Sequence, residues 1–203
     1  MSRRIVHLAL GSNLPSVAGD RMATLVEAVR RLEGDAMGLR IVQRSTVYET
    51  PPVPAGQPAY LNAAIAVETP LSLPDILTIA QAVERSLGRE RSAGERWGPR
   101  TIDIDILLDG ESVFRAGGPL AGSGFGSGFG FGLGFGESDG LSLTVPHPRL
   151  AERLFVLVPL AEIAPDALVP PAGTPVEHLL ARATASAGEA ARQAIRPIGP
   201  LVG

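Results

Sequence analysis

Two aspartates within one β-rich segment are the strongest chemical signal in the sequence. Asp103 and Asp105 flank Ile104 in the segment 101–109. Residues two apart on a strand point to the same face with α-carbons about 6.5–7 Å apart, so both carboxylates should converge while Ile104 and Leu108 face the core. Mg²⁺ prefers carboxylate and phosphate oxygens and would relieve the repulsion between the acids. The pattern predicts a metal and phosphate site, but two solvent-facing acids on an edge strand, or a glycosyltransferase DxD motif, fit it too.

Arginines precede the aspartates in a loop that contains glycine and proline. Arg89 and Arg91 come first, and Arg100 lies within the run Glu-Arg-Trp-Gly-Pro-Arg-Thr at 95–101. Guanidinium groups neutralise phosphate oxygens through paired hydrogen bonds, so the loop is typical of a clamp that closes over a nucleotide. A solvated charge run, with Trp97 merely filling the core, is the alternative. The neighbouring carboxylates favour the clamp.

A histidine and the start of a later helix supply further candidate residues. His147 follows a predicted strand within the Pro-rich run 144–149 and could donate to a phosphate, although a lone histidine is more often structural. Arg153 and Phe155 begin the next helix. By themselves they indicate a surface arginine and a core phenylalanine.

The predicted elements follow the order β-α-β-β-α-β. Apolar runs and period-two alternation predict strands, and apolar residues at helical spacing predict helices. The strands are 5–10, 41–48, 60–69 and 101–109, and the helices lie between Asp20 and Gly34 and between Ser72 and Gly88. This order is typical of a ferredoxin-like α+β fold, an antiparallel sheet with helices on one face. A strand at 141–145 and helices at 154–163 and 174–180 are predicted C-terminal additions.

Composition favours a single domain over 1–203. Apolar residues make up 45% of the chain, and a net charge of -3 argues against a nucleic-acid binder with a broad basic face. The absence of cysteine excludes disulfides and thiolate metal sites. The first apolar run is too short for a signal peptide and no later run could span a bilayer, so we expect a cytoplasmic protein with no membrane partner.

Glycine dominates one long segment of the chain. We predict a flexible insertion at 115–140, because glycine has high backbone entropy and the segment offers few side chains for a core. Partner binding through its phenylalanines is the alternative to a spacer. We also predict a poorly ordered tail at 183–203.

Six segments resemble, in family order, 6-hydroxymethyl-7,8-dihydropterin pyrophosphokinase. They are 8–14, 45–52, 57–64, 95–105, 143–147 and 155–165. The most specific is Arg-Trp-Gly-Pro-Arg-Thr-x-Asp-x-Asp at 96–105. The resemblance covers about residues 5–170 and leaves out the glycine-rich insertion.

The resemblance implies a ferredoxin-like fold, two Mg²⁺ ions and ATP as co-substrate. The β- and γ-phosphates would pass as a unit to the pterin hydroxymethyl group in folate synthesis, leaving AMP. By this match Asp103 and Asp105 hold the metal ions, and they are catalytic together with Arg89 and Arg100. The residues implied to contact ATP are Gln81, Glu84, Arg89, Arg91, Trp97, Arg100, Ile106, Thr144, His147 and Arg153, with Gln81 and Glu84 on the exposed side of the second helix.

The resemblance also implies a pterin site. Its residues are Thr50, Pro52, Val53, Tyr60, Asn62 and Phe155. Asn62 would read the ring edge, because an amide both donates and accepts hydrogen bonds, and Tyr60 and Phe155 would stack on the ring.

Two other classes of function compete with this interpretation. A non-catalytic ferredoxin-like binding module is one, but the acidic balance and the lack of an aromatic, basic sheet face argue against RNA binding. A DxD glycosyltransferase would need a larger nucleotide-sugar domain than 203 residues offer. We expect a monomer that binds two small molecules, ATP and 6-hydroxymethyl-7,8-dihydropterin, and no nucleic acid.

Overall fold

A six-stranded antiparallel sheet forms the centre of the protein. The computed structural model describes residues 3–34, 37–52, 55–89, 98–116 and 143–202. The strands are β1 Arg4–Ser12, β2 Arg40–Arg44, β3 Thr46–Thr50, β4 Tyr60–Thr69, β5 Asp103–Asp109, β6 Phe114–Ala116, β7 Leu143–Val145, β8 Leu168–Val169, β9 Thr174–Pro175 and β10 Arg196–Pro200. The sheet order is β10-β3-β4-β1-β5, and β2 also pairs with β4. The pairs β6-β7 and β8-β9 form two small separate sheets.

Five α-helices lie in the described part of the chain. They are α1 Arg21–Leu32, α2 Leu73–Ser86, α3 Leu154–Ile163, α4 Val176–Ala187 and α5 Glu189–Gln193. The predicted starts of the first two are confirmed: the Asp20 side chain accepts from the backbone N–H of Ala23 at 2.9 Å, and Ser72 accepts from that of Asp75 at 3.3 Å. These caps satisfy amide groups that have no partner within the helix. Among the described residues, no helix has the length and apolar composition that a membrane span requires.

Helices cover both faces of the sheet: α1 and α2 pack on one face, and the C-terminal additions α3 and α4 pack on the other. Leu8 and Leu10 of β1 belong to the core shared with α1 and α2, whereas Ala9 and Ala64 face the core formed with α3 and α4. Strand alternation assigns the two sets to opposite faces. The second face carries alanines where α3 packs, and the C-terminal helices complete its core.

A β-bulge interrupts the alternation of β5. Leu8 of β1 pairs with Ile106 and His7 pairs with Leu108, so Leu107 is an extra residue in this register. Leu107 and Leu108 both pack in the α3 core. The prediction that Leu108 shares a face with Ile104 is therefore wrong, because the inserted residue reverses the face that follows it.

The C-terminal segment is ordered from α4 onward, so the prediction of a poorly ordered tail at 183–203 is wrong for the described residues up to 202. After α4 and α5, β10 pairs with β3 and Leu201 is buried. Pro197 and Pro200 lower the strand propensity of this segment, but an edge strand tolerates proline. The predicted single strand 41–48 is divided into β2 and β3 at Ser45. Residues 117–140 of the predicted insertion lie outside the described residues, whereas Phe114–Ala116 forms β6.

Candidate active site

Four strands contribute one residue each to a row across the α3 face of the sheet. Tyr48 pairs with Asn62, Asn62 pairs with Gly11, and Gly11 pairs with Asp103. Neighbouring strands lie about 4.8 Å apart, so the Asn62 amide and the Asp103 carboxylate start from backbones roughly 9.5 Å apart. Only a glycine stands between them. The sheet therefore has an open floor with an amide at one end and a carboxylate at the other.

One pocket lies over this floor, beneath the start of α3. It brings together most of the residues for which a pterin or metal role was predicted: Thr50, Tyr60, Asn62, Asp103, Asp105 and Phe155. Arg100 and Arg153, which were predicted to contact ATP, line the same pocket. The lining includes Pro51 rather than the predicted Pro52. Val53 lies outside the described residues.

Gly11 is part of this pocket and was not predicted as a site residue. A β-carbon at this position would stand 3.0 Å from Oδ1 of Asn62 and 3.9 Å from Cδ1 of Tyr60. The missing side chain therefore keeps the pocket floor open. Alternation along β1, which puts Gly11 on the same face as Ala9, was the signal that could have identified it.

The Asn62 amide is held in a fixed orientation. The side chain is buried, and Nδ2 donates to Oγ1 of Thr50 at 2.8 Å. Oδ1 points toward Gly11, as the short distance to its potential β-carbon shows. One donor is committed to the protein, so the remaining hydrogen-bonding capacity can serve a ligand in the pocket.

Asp103 binds two arginines. Its Oδ1 lies 2.6 Å from Nη1 of Arg89, and its Oδ2 lies 2.6 Å from Nη1 of Arg100. Burial by itself would raise the pKa of Asp103, but the two guanidinium groups outweigh burial and hold this pKa below its ordinary value. Asp103 is therefore ionised at neutral pH.

Asp105 is in a different electrostatic environment. Partial burial, and then the charge of Asp103, raise the pKa of Asp105 to about 7. Nη1 of Arg153 lies 3.8 Å and Nε2 of His147 lies 3.9 Å from its Oδ2. Burial and the repulsion from Asp103 disfavour a negative charge on Asp105, and a bound cation would offset both effects.

The donor set fits magnesium. Among the described residues, no group of three or more histidine, cysteine or acidic side chains could hold a metal ion unaided. Mg²⁺ keeps several waters and binds through one or two carboxylates together with substrate phosphates. Asp103 and Asp105 supply that number of carboxylates on one face of β5, as the sequence predicted.

Glu84 is buried, so its predicted position on the exposed side of α2 is wrong. It is only 3% exposed, its Oε1 accepts from the backbone N–H of Ile104 at 2.8 Å, and it is paired with Arg89. The carboxylate therefore holds β5 between the two aspartates and positions a guanidinium group at the same time.

The other residues implied to contact ATP lie outside the pocket lining. Gln81 is half-buried on α2, Ile106 is buried on the α1–α2 face and Thr144 is half-buried on β7. Nδ1 of His147 accepts from the backbone N–H of Arg149 at 3.2 Å, which directs Nε2 toward Asp105. Burial, and then the charge of Arg153, lower the pKa of His147 to about 4, so the ring is neutral and can donate through Nε2. Arg91 and Trp97 lie outside the described residues.

Arg153 and Phe155 form one wall of the pocket at the start of α3. The Arg153 guanidinium lies 5.6 Å from the centroid of the Phe155 ring, a cation–π distance. Arg153 is half-buried and is therefore not the surface arginine that its pattern in isolation indicated, whereas Phe155 packs against the core, as its pattern indicated, and also lines the pocket. The wall combines a flat apolar surface with a positive charge.

The fold and site together define an α+β protein in which paired carboxylates, arginines and a fixed amide surround one pocket. Residues 7–165 match the sequence profile of 7,8-dihydro-6-hydroxymethylpterin-pyrophosphokinase, and the chain belongs to this family. A relative from Methylorubrum extorquens, named 2-amino-4-hydroxy-6-hydroxymethyldihydropteridine pyrophosphokinase, is 39% identical over 178 residues, which cover 87% of this chain and 91% of the relative. A relative of the same name from Bacillus subtilis is 39% identical over 161 residues, 78% of this chain and 77% of the relative.

Solved structures support the fold. The crystal structure of Plasmodium falciparum HPPK-DHPS with pteroate matches 97% of this chain with a TM-score of 0.71 at 14% sequence identity. This chain spans only 46% of that solved chain. At this identity the match shows the α+β fold alone.

Proposed function

We propose that the protein transfers the terminal diphosphate of ATP to the hydroxymethyl group of 6-hydroxymethyl-7,8-dihydropterin, with release of AMP, in folate biosynthesis. The observation that carries this proposal is the row Asn62–Gly11–Asp103 across the sheet. An amide and a carboxylate lie at opposite ends of one pocket in this row, which supports a pterin site at one end and a phosphate site at the other. The family and the names of its relatives supply the substrates.

The pterin would lie on the open floor at Gly11. Asn62, oriented by Thr50, offers donor and acceptor atoms to the edge of a heterocycle that has both. Tyr60 and Phe155 line the pocket as flat aromatic surfaces suited to stacking. A ring read at the Asn62 end directs its substituent toward Asp103. The predicted contact from Val53 belongs to this proposal as well.

Asp103 and Asp105 would hold Mg²⁺, and we propose two ions. The metal would supply neutralisation of phosphate charge and in-line geometry when bound. Arg89 and Arg100 both bind Asp103, and in this proposal they would also bind the phosphate oxygens of ATP. Asp103 compensates the positive charge of both guanidinium groups and holds them beside the proposed phosphate site.

Catalysis in this proposal is alignment and charge neutralisation. The pterin hydroxyl oxygen attacks the β-phosphorus of ATP, the bond from that phosphorus to the α,β-bridging oxygen breaks, and AMP leaves while the hydroxyl proton is lost to solvent. Neutral His147 would donate through Nε2 to a phosphate oxygen. Gln81, Glu84, Arg91, Trp97, Ile106, Thr144 and Arg153 remain proposed nucleotide-site residues.

The finer architecture is also part of the proposal. The strand order β3-β4-β1-β5, with α1 and α2 on one face, supports a ferredoxin-like core extended by the C-terminal helices. A single domain with a flexible insertion at 115–140, a monomeric state and a cytoplasmic location remain predictions of the sequence.

The test is AMP formation from ATP and Mg²⁺ with and without the pterin. We expect AMP that depends on the pterin and is lost in Asp103→Asn, a variant that keeps the side-chain shape. AMP formation at the same rate without the pterin would contradict the acceptor assignment. Folded protein that binds the pterin but forms no AMP would support the non-catalytic binding module instead.

A further inference from the structure

A β-bulge separates β2 from β3 at Ser45. Arg44 of β2 pairs with Ile65 of β4, and Tyr48 of β3 pairs with Asn62 of the same strand. From the first pair to the second, the chain advances four residues on one side and three on β4, so one residue is extra. Without it, alternation would put Tyr48 on the face of Ile65, which belongs to the core with α1 and α2. With it, Tyr48 packs against the α3 core.

The bulge determines which side chains reach the pterin end of the pocket. Thr50 lies two residues after Tyr48 on β3 and therefore shares its face. On that face, Oγ1 of Thr50 accepts from Nδ2 of Asn62 at 2.8 Å. If the extra residue were absent, Thr50 would point to the opposite face and Asn62 would lose this partner. The orientation of the Asn62 amide thus depends on the bulge.

Polar side chains satisfy the backbone groups that the bulge removes from the strand ladder. Oγ of Ser45, which is only 2% exposed, accepts from the backbone N–H of Ala64 at 2.9 Å. The backbone N–H of Thr46 donates to the two carboxylate oxygens of Glu162 at 3.0 and 2.9 Å. The hydroxyls of Thr46 and Tyr48 donate to the same carboxylate at 2.8 and 3.0 Å. Three donors from β3 therefore converge on one side chain of α3.

Glu162 also connects β3 to the opposite wall of the pocket. It lies in the last turn of α3, where the negative end of the helix dipole disfavours a carboxylate, and the donors from β3 offset this cost. Phe155 lies seven residues earlier in α3, about two turns away and so on the same side of the helix, and it lines the pocket. The carboxylate thus joins the helix that carries Phe155 to the strand that carries Thr50.

We propose that Glu162 is a positioning residue for the pterin site. Its carboxylate secures the bulge, and with it the face of Thr50, and holds the Phe155 wall at a fixed place over the sheet. Glu162 lies at the opposite end of α3 from Arg153, so the nucleotide end of the pocket should not depend on it. The inference deepens the proposed function and rests on it, because it takes the pterin as the ligand between Asn62 and Phe155.

Glu162→Gln tests the carboxylate with little change in volume. The amide group of the new side chain cannot accept, so at least one donor from Thr46 or Tyr48 loses its acceptor. Tyr48→Phe removes one donor and leaves the carboxylate in place, so it tests the idea if Glu162→Gln fails to fold. Glu177→Gln, at an exposed position in the first turn of α4, is the matched carboxylate-to-amide control.

The measurement is the dissociation constant of the pterin and, separately, that of α,β-methylene-ATP with Mg²⁺, in which the bond to be broken is blocked. Both are obtained by calorimetric titration well below the unfolding midpoint of each variant. We expect pterin binding to weaken about five- to tenfold in Glu162→Gln, the value of roughly one net hydrogen bond, and about two- to threefold in Tyr48→Phe. Nucleotide affinity should stay within about twofold of the wild type in both variants, and Glu177→Gln should leave both constants unchanged.

A lowered unfolding midpoint in Glu162→Gln, with both dissociation constants unchanged, would reduce Glu162 to a structural residue and overturn the proposal. Equal weakening of both ligands would overturn it too, because the effect would not be confined to the pterin end. AMP formation by the wild type separates the two proposals. Pterin-dependent AMP together with unchanged pterin affinity in Glu162→Gln refutes only the role of Glu162, whereas a wild type that binds no pterin and forms no AMP refutes the proposed function as well.

Discussion

Gly11→Ala is a one-carbon test of the pocket floor. The new β-carbon would meet, among the described residues, two atoms within 4 Å: Oδ1 of Asn62 at 3.0 Å and Cδ1 of Tyr60 at 3.9 Å. Gly11 lies in β1 with a negative or extended φ, so alanine brings no backbone strain. The substitution therefore acts on the pocket and leaves the fold intact.

The expected magnitude follows from the 3.0 Å contact to Asn62, which is tighter than nearly all real β-carbon contacts. Either the amide moves, and loses its geometry toward Thr50, or the ligand is displaced by a methyl group. Overpacking of this kind costs about 1–3 kcal/mol. If the cost falls on pterin binding, the dissociation constant rises by roughly 5- to 150-fold.

The assay is calorimetric titration of the variant with the pterin and, separately, with Mg²⁺ and α,β-methylene-ATP. We expect weaker pterin binding and nucleotide affinity within about twofold of the wild type. Gly199→Ala in β10 is the control, because a β-carbon there meets no atom of the described residues within 4 Å and its φ is also not positive. Unchanged pterin affinity in Gly11→Ala would refute the placement of the ring on this floor.

Three further predictions concern charge and stability. Asp105→Asn should lower turnover about 100-fold or more in a steady-state assay. The same variant should raise the unfolding midpoint in magnesium-free buffer at pH 8, because it removes a repulsive carboxylate whose pKa is raised in the fold. A lowered midpoint would contradict this. Glu84→Ala should lower the free energy of unfolding by about 3–5 kcal/mol in denaturant titration, since Arg89 and the Ile104 N–H lose a buried acceptor; a loss below about 1 kcal/mol would show that the carboxylate is dispensable. Burial lowers the pKa of His7, so the unfolded chain takes up the imidazole proton at a higher pH than the folded protein. The free energy of unfolding should therefore fall as the pH drops below 6.5, by at most ~1.4 kcal/mol per pH unit, and should fall less steeply in His7→Leu. The same pH dependence in both proteins would exclude His7 as the cause.

Strand periodicity was sufficient to predict that Asp103 and Asp105 share one face of β5. Asp103 and Asp105 required only the alternation of one strand, which holds at that end of β5. The same rule failed for Leu108, because a bulge depends on the register with β1 and not on the residues of β5 alone. The alternation along β5 therefore predicted the face of each side chain correctly only as far as the β-bulge.

The remaining features depend on contacts between distant segments. The hydrogen bonds of Asn13 could not be predicted from the sequence, since its partners Gln57 and Arg100 are 44 and 87 residues away. Glu84 was assigned to an exposed face because a charged residue is rarely buried without a partner, and its partners Arg89 and Ile104 become neighbours only in the fold. The order of the tail, likewise, arises from pairing with β3.

The most direct test of the central claim identifies the product. The wild-type protein is incubated with ATP, Mg²⁺ and 6-hydroxymethyl-7,8-dihydropterin, and the mixture is followed by ³¹P NMR and mass spectrometry. The account predicts AMP and the pterin diphosphate in equal amounts, because both phosphates move as a unit. ADP with a pterin monophosphate, or free phosphate with unmodified pterin, would contradict it.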